Sequence, residues 1–145
     1  MIHLQNGISP VNPDDFERVI VVWEASVRAT HHFVSESDIE IFRPLVREEV
    51  QSVPVECVRD DQGAVVGFMI VGDGSVEALF IHPDWRGQGI GRRLFQHAVD
   101  DLGATAVDVN EQNEQALGFY LRMGFEVVGR SDLDSNGKPF PLLHM

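Results

Sequence analysis

The sequence is short of cysteine, of cations and of long apolar runs, and each shortage excludes something. The one cysteine, Cys57, permits no intramolecular disulfide; set in the apolar run Val53-Pro54-Val55-Glu56-Cys57-Val58, it reads as a small buried hydrophobe. No run approaches the roughly 20 apolar residues that span a bilayer, and Met1-Ile2-His3-Leu4-Gln5 lacks the basic-then-apolar order of a leader. A soluble, cytoplasmic chain is expected. Eleven Lys and Arg against 23 Asp and Glu leave a formal net charge of −12. That sign argues against nucleic acid and against an anionic membrane; it suits a cationic acceptor such as an amine, and serves solubility equally well. What remains, 43% apolar and 8% aromatic residues over 145 positions, suits one globular domain spanning residues 1–145.

The most informative stretch is Leu79 to Gly91. An apolar run, Leu79-Phe80-Ile81, leads through His82-Pro83-Asp84-Trp85 into Arg86-Gly87-Gln88-Gly89-Ile90-Gly91 and then a helix-like segment. Glycines at alternate positions remove the Cβ atoms that would hold a ligand off the backbone, so N–H groups at a helix start can converge on one anion. Phosphate or pyrophosphate is the expected ligand, with Arg86 and Arg92 as flanking cations. The loop is not a P-loop, because Arg92 and Arg93 follow Gly91 where Lys and Ser or Thr belong. It is not a Rossmann loop either, because the third position after Gly89 is Arg92.

The rest of the chain supplies the elements around that loop. Residues 1–7 read as a short strand, and Asn12-Pro13-Asp14-Asp15 as a helix start before Phe16, Val19, Ile20, Trp23 and Val27 recur at helical spacing. Ser35 or Ser37 caps a second helix, striped by Ile39, Phe42, Val46 and Val50, in which Pro44 threatens a kink or a break. Strands over 53–59, 64–72 and 75–82 follow, joined by Asp60-Asp61-Gln62-Gly63 and Asp73-Gly74 turns. After the glycine loop come a helix marked by Leu94, Phe95, Ala98 and Leu102, a strand over 104–109, a helix over 114–123, a strand over 125–131 and a last strand to about His144. The helix between them makes strands 75–82 and 104–109 parallel.

The pattern Arg86-x-x-Gly89-x-Gly91 after a strand resembles the acetyl-CoA pyrophosphate loop of the GNAT superfamily, the acetyl-CoA-dependent N-acetyltransferases. A second element strengthens it: Val107-Asp108-Val109-Asn110-Glu111-Gln112-Asn113, then Ala116-Leu117-Gly118-Phe119-Tyr120, then Met123-Gly124-Phe125. The resemblance covers residues 75–131. It implies an α/β (α+β) fold with a mixed central sheet of about seven strands flanked by about four helices. It also implies acetyl-CoA as co-substrate, held by the backbone of Phe80 and Ile81, by Arg86, Gly87, Gln88, Gly89, Ile90, Gly91 and Arg92, and by Asn113 and Tyr120. In that family the pantetheine arm lies between two parallel strands that splay apart. Direct transfer of acetyl to an amine of a small molecule or a protein, by a monomer or homodimer, follows; an acyl-CoA-binding module without turnover is the alternative.

Transfer to an amine requires three jobs: deprotonating the amine, stabilising the oxyanion and protonating the thiolate. Tyr120, the chain's one tyrosine, stands where the family's tyrosine reaches the thioester sulfur, and a phenol remains protonated at neutral pH. Asn113 is a pantetheine contact by the same resemblance or a plain helix cap, with Asn110 its competitor. For the base, Asp108 sits mid-strand opposite the Val107 and Val109 face, Glu77 on the preceding strand is its rival, and an acceptor that arrives neutral needs neither. His31 and His32 follow the first helix, where the family covers its acceptor, and are candidate acceptor contacts. Adjacent histidines point about 100° apart on a helix, so no metal site is expected.

Overall fold

The computed structural model describes residues 7–145. Seven strands form one sheet: β1 (Ile8–Pro10), β2 (Glu56–Arg59), β3 (Val65–Gly72), β4 (Ser75–Ile81), β5 (Ala106–Asn110), β6 (Gly129–Ser131) and β7 (Leu142–His144). Their order is β1-β2-β3-β4-β5-β7-β6, and the pairing of β4 with β5 is the parallel one. Four α-helices accompany them: α1 (Phe16–Thr30), α2 (Glu36–Ser52), α3 (Ile90–Asp100) and α4 (Glu114–Arg122). The expected mixed sheet with four helices is therefore the observed architecture.

Residues Val65 to Ile70 of β3 are all buried, as a central strand covered on both faces should be. One face carries α1 and α2 over Val19, Val22, Trp23, Cys57, Phe68 and Ile70. The other carries α3 and α4 over Val66, Met69, Leu94, Phe95, Val107 and Tyr120. Each such side chain, fully buried, contributes about 1.5–3 kcal/mol. Cys57 is 0% exposed, the buried hydrophobe its context suggests.

Several boundaries differ from the sequence expectation. The strand expected over residues 1–7 falls on residues outside the described ones, apart from Gly7, which precedes β1. Asn12-Pro13-Asp14-Asp15 opens a 3-10 turn at Pro13–Asp15 before α1 starts at Phe16, with the Asp15 carboxylate accepting the Asn12 N–H at 2.8 Å. Ser35 is the cap of α2: its hydroxyl accepts the Asp38 N–H at 3.1 Å. Pro44 neither breaks nor divides α2, which runs from Glu36 to Ser52. Tertiary contacts outweigh the lost N–H there: Ile39 and Val50 are buried, and Arg43 and Arg47 reach across to Glu24 and Glu17 of α1. The strand expected over 125–131 shrinks to β6, because Phe125 turns into the core, 5.1 Å from the Phe95 ring, and the chain meets β7 only at Val128.

Two irregularities open the sheet in its middle. β4 and β5 pair only at Ser75 with Ala106 and Val76 with Val107, after which the ladder between them ends. On its other side β4 pairs Val76 with Val71 and Ala78 with Ile70, so Glu77 is an extra residue with no opposite number. Such a bulge bends its strand and re-aims a side chain. β4 thus leaves β5 at Glu77, and a gap widens between Leu79–Ile81 and Val109–Asn110.

Candidate active site

The gap holds two cavities that meet. The larger, about 540 Å³, lies under α1 and α2, with aromatic side chains from Trp23, Phe42 and Phe140 in its walls and Glu49, Glu77 and Asp108 at its polar side. The smaller, about 190 Å³, runs from the strands toward the glycine loop and is lined by Ile81, Arg86, Gly91 and Arg122. His31, Leu79, Phe80, Asn113, Ala116 and Tyr120 line both. These six residues surround the point where anything in one cavity touches anything in the other.

Tyr120 sits on α4, 6% exposed, with its ring 5.4 Å from the rings of Phe95 and Phe119. Burial pushes its phenol well above the ordinary tyrosine value, so it stays protonated. No described residue hydrogen-bonds its hydroxyl, yet no sealed side-chain oxygen or nitrogen among them lacks a partner. The hydroxyl therefore opens into the cleft. An unpaired donor facing a cavity is available to a ligand.

Asn113 and His31 form a second arrangement. Asn113 caps α4 through its Oδ1, which accepts the Ala116 N–H at 3.2 Å, so the capping role is realised. His31 ends α1 and is 8% exposed. Thr30 Oγ1 donates its one hydrogen to the Ser26 carbonyl at 2.8 Å, so in its 2.7 Å contact with His31 Nδ1 the imidazole is the donor. Nε2 is left as an acceptor for the Asn113 amide at 3.4 Å. Burial, with a smaller effect from His32, brings the His31 pKa down to about 4 and keeps the ring neutral. His32 is exposed and lines neither cavity, so the structure does not bring the second histidine to the cleft.

Both candidate carboxylates face the larger cavity. Asp108 Oδ1 accepts a hydrogen bond from His144 Nδ1 at 2.7 Å, which leaves His144 Nε2 to accept from the Ser131 hydroxyl at 2.7 Å. Glu77 has no hydrogen-bond or ion-pair partner among the described residues. Desolvation first, then the negative charges of Glu49, Asp73 and Asp108, raise its pKa above the usual carboxylate value. Glu49, on α2, is a cleft residue that the sequence did not single out. Its spacing from Phe42 and Val46 was the available signal, since i, i+4 and i+7 share a helix face.

The glycine loop leaves its backbone open. Gly87 and Gly89 have φ of +78° and +81°, which glycine adopts without strain, and a Cβ at either would meet no protein atom within 4 Å. Gly89 is the N-cap of α3 and supplies no side-chain cap, and no acid stands in the first turn, so the first N–H groups face outward with a positive helix end behind them. Gly87, Gln88, Gly89 and Arg92 are exposed there, Ile90 is buried as an anchor in the core, and Arg86 and Gly91 line the smaller cavity. Arg122 joins them from the end of α4, another cation the sequence analysis did not select. Arg28, Arg43, Arg47, Arg59 and Arg130 are by contrast paired with carboxylates. The diverging strands, the open loop and the uncapped end of α3 thus form one continuous cleft that passes Tyr120.

A sheet split between parallel strands, with a pyrophosphate-type loop at the mouth of the gap, defines an acyl-CoA-dependent transferase fold. The family "Acetyltransferase (GNAT) domain" matches residues 55–127. A peptidyl-lysine N-acetyltransferase, YjaB, of Salmonella typhimurium is 44% identical over 132 residues, 91% of each chain. Its Escherichia coli namesake is 42% identical over 91% of this chain and 90% of its own. The solution structure of apo-form YjaB from Escherichia coli superposes with a TM-score of 0.87 at 41% identity, covering 94% of this chain and 93% of that one. A PaiA N-acetyltransferase from Thermoplasma acidophilum, solved with coenzyme A, shares the fold at TM-score 0.68 and 22% identity, over 94% and 97% of the two chains. This chain belongs to the GNAT family of acetyltransferases, and it is an N-acetyltransferase that moves an acetyl group to an amine. The family's acetyl donor is acetyl-CoA.

Proposed function

We propose that this enzyme acetylates lysine side chains of proteins directly from acetyl-CoA, with Tyr120 as general acid and Glu77 as the group that takes the amine proton. The observation that carries the reading is the meeting of two cavities at one unbonded phenol: one cavity leads to the phosphate loop, the other to a carboxylate-bearing cleft. The relatives' names, both peptidyl-lysine N-acetyltransferases, supply the acceptor class. The backbone of Phe80 and Ile81 lines the gap for the pantetheine arm, and the N–H groups after Gly89, with Arg86 and Arg92, hold the diphosphate. Tyr120 donates its proton to the sulfur as the carbon–sulfur bond breaks.

Glu77 is the stronger of the two carboxylates as base. Its raised pKa brings it nearer to the amine it must deprotonate, and none of the described residues competes for its oxygens. Asp108 already has one oxygen committed to His144. Cys57 has no part in the chemistry, because it is sealed in the core and burial pushes its thiol up, so no acyl-enzyme forms on it. The deciding test is the pH dependence of kcat/KM for one lysine peptide in wild type, Glu77→Gln and Asp108→Asn. Loss of the low-pH limb in Glu77→Gln alone supports the assignment; its loss in Asp108→Asn alone transfers the role to Asp108.

A further inference from the structure

Glu49 of α2 and Glu77 at the bulge of β4 both line the larger cavity, and neither has a hydrogen bond or an ion pair among the described residues. Asp108 and Asp134 line the same space, but their carboxylates are engaged, by His144 and by the Asn136 and Lys138 N–H groups at 2.9 Å. Among the described residues lining that cavity there is no Lys or Arg. The Glu49 and Glu77 charges act on one another without a cation between them, a repulsive arrangement that the fold maintains.

The Glu77 carboxylate also lies close over a glycine. A Cβ built on Gly72 would lie 3.0 Å from one carboxylate oxygen and 3.1 Å from the other, so the side chain lies back over a residue that leaves it room. The second feature of the cavity is Tyr120, nine-tenths buried, whose hydroxyl has no partner among the described residues and opens into the same space. A buried hydroxyl whose oxygen can accept an N–H, and two carboxylates of one cavity with no Lys or Arg in its lining, are complementary to one kind of ligand. It is an alkylammonium: apolar stem against the aromatic wall, positive head between the acids, nitrogen directed toward the phenol.

We propose that Glu49 and Glu77 form an ammonium receptor that captures the acceptor in its charged form, with Glu49 as an acceptor-binding residue alongside Glu77. The proposal rests on the amine-acceptor reading above and adds to it a selection rule. A primary alkylammonium enters; an isosteric neutral molecule does not.

The test uses the full-length protein with side-chain carboxyl carbons of glutamate labelled for NMR, titrated with n-butylammonium chloride and separately with n-butanol. The Glu49 and Glu77 carboxyl signals should move with butylammonium and not with butanol. Glu49→Gln should weaken the butylammonium response roughly tenfold, the effect of one charge removed at contact in a partly solvated cleft. Glu49→Asp, which keeps the charge, should retain most of it and so separates charge from fold. Equal responses to both probes, or a Glu49→Gln titration like that of wild type, would overturn the proposal. A parallel assay of wild type on a lysine peptide keeps the two claims apart: butylammonium bound at these carboxylates with no peptide acetylated upholds the receptor and refutes the protein-lysine acceptor.

Discussion

Tyr120→Phe separates the chemistry of the cleft from its construction. The substitution removes one oxygen that makes no hydrogen bond among the described residues and leaves the ring contacts with Phe95 and Phe119 in place. Folding stability should change by no more than about 0.5 kcal/mol, as for substitutions outside any network. In the reaction, the same oxygen is assigned the proton for the departing sulfur, and general acids contribute about 10²-fold or more. A loss of about 10² in kcat corresponds to about 2.7 kcal/mol of transition-state stabilisation, well clear of the stability change. The assay is single-turnover acetyl transfer by rapid quench, alongside acetyl-CoA affinity by calorimetry and urea unfolding. The expected pattern is slow chemistry with near wild-type affinity and stability. Wild-type chemistry in the variant, or a rate loss matched by an equal loss of cofactor affinity, would refute the assignment.

Two further outcomes follow from the same geometry. Gly89→Val puts a β-branched residue at φ +81°, where open space lets the chain fold but the strained N-cap displaces the N–H groups of α3; coenzyme A affinity should fall more than tenfold, and unchanged affinity by calorimetry would contradict the loop assignment. His31 is neutral in the fold with a pKa of about 4 against 6.5 unfolded, so its contribution is complete above pH 6.5 and is lost as pH falls toward and through 4, because the unfolded chain takes the proton first. Urea unfolding of wild type from pH 7 to pH 4 should lose about 3 kcal/mol that His31→Gln does not lose. Equal slopes in the two proteins would show that His31 is not held neutral. As pH falls through the unfolded carboxylate values, 4.5 for Glu24, Glu36 and Glu111 and 3.8 for Asp15, these groups, whose pKa values are depressed chiefly by Arg43, Arg28, Arg130 and Arg59, lose their contribution as well, in both proteins alike.

The parts legible in the sequence were those set by local chemistry. The alternate glycines marked the open turn that starts α3, and the Asn113 to Tyr120 spacing lies within one capped helix. The alternation of β5 placed Asp108 and Asn110 on the face away from Val107, where the cleft lies. What escaped depended on distant partners. Pro44 promised a break, but the cross-helix arginine pairs and buried Ile39 and Val50 keep α2 whole. His31 and His32 are equivalent in sequence; only the end of α1 decides that one ring turns to Asn113 and the other to solvent. The bulge at Glu77 is invisible without the register of β3, and it makes Glu77 rather than Asp108 the unencumbered acid. Glu49 became relevant only when α2 was laid against the open sheet.

The central claim, that one phenol joins a cofactor cavity to an acceptor cleft, is tested most directly by a crystal structure of this protein with coenzyme A and an N-acetylated lysine peptide. The account predicts the pantetheine arm between β4 and β5, the sulfur within hydrogen-bonding reach of the Tyr120 hydroxyl, and the lysine stem entering past Glu49 and Glu77. A sulfur lying away from Tyr120, or a peptide reaching it from the side of the glycine loop, would contradict it.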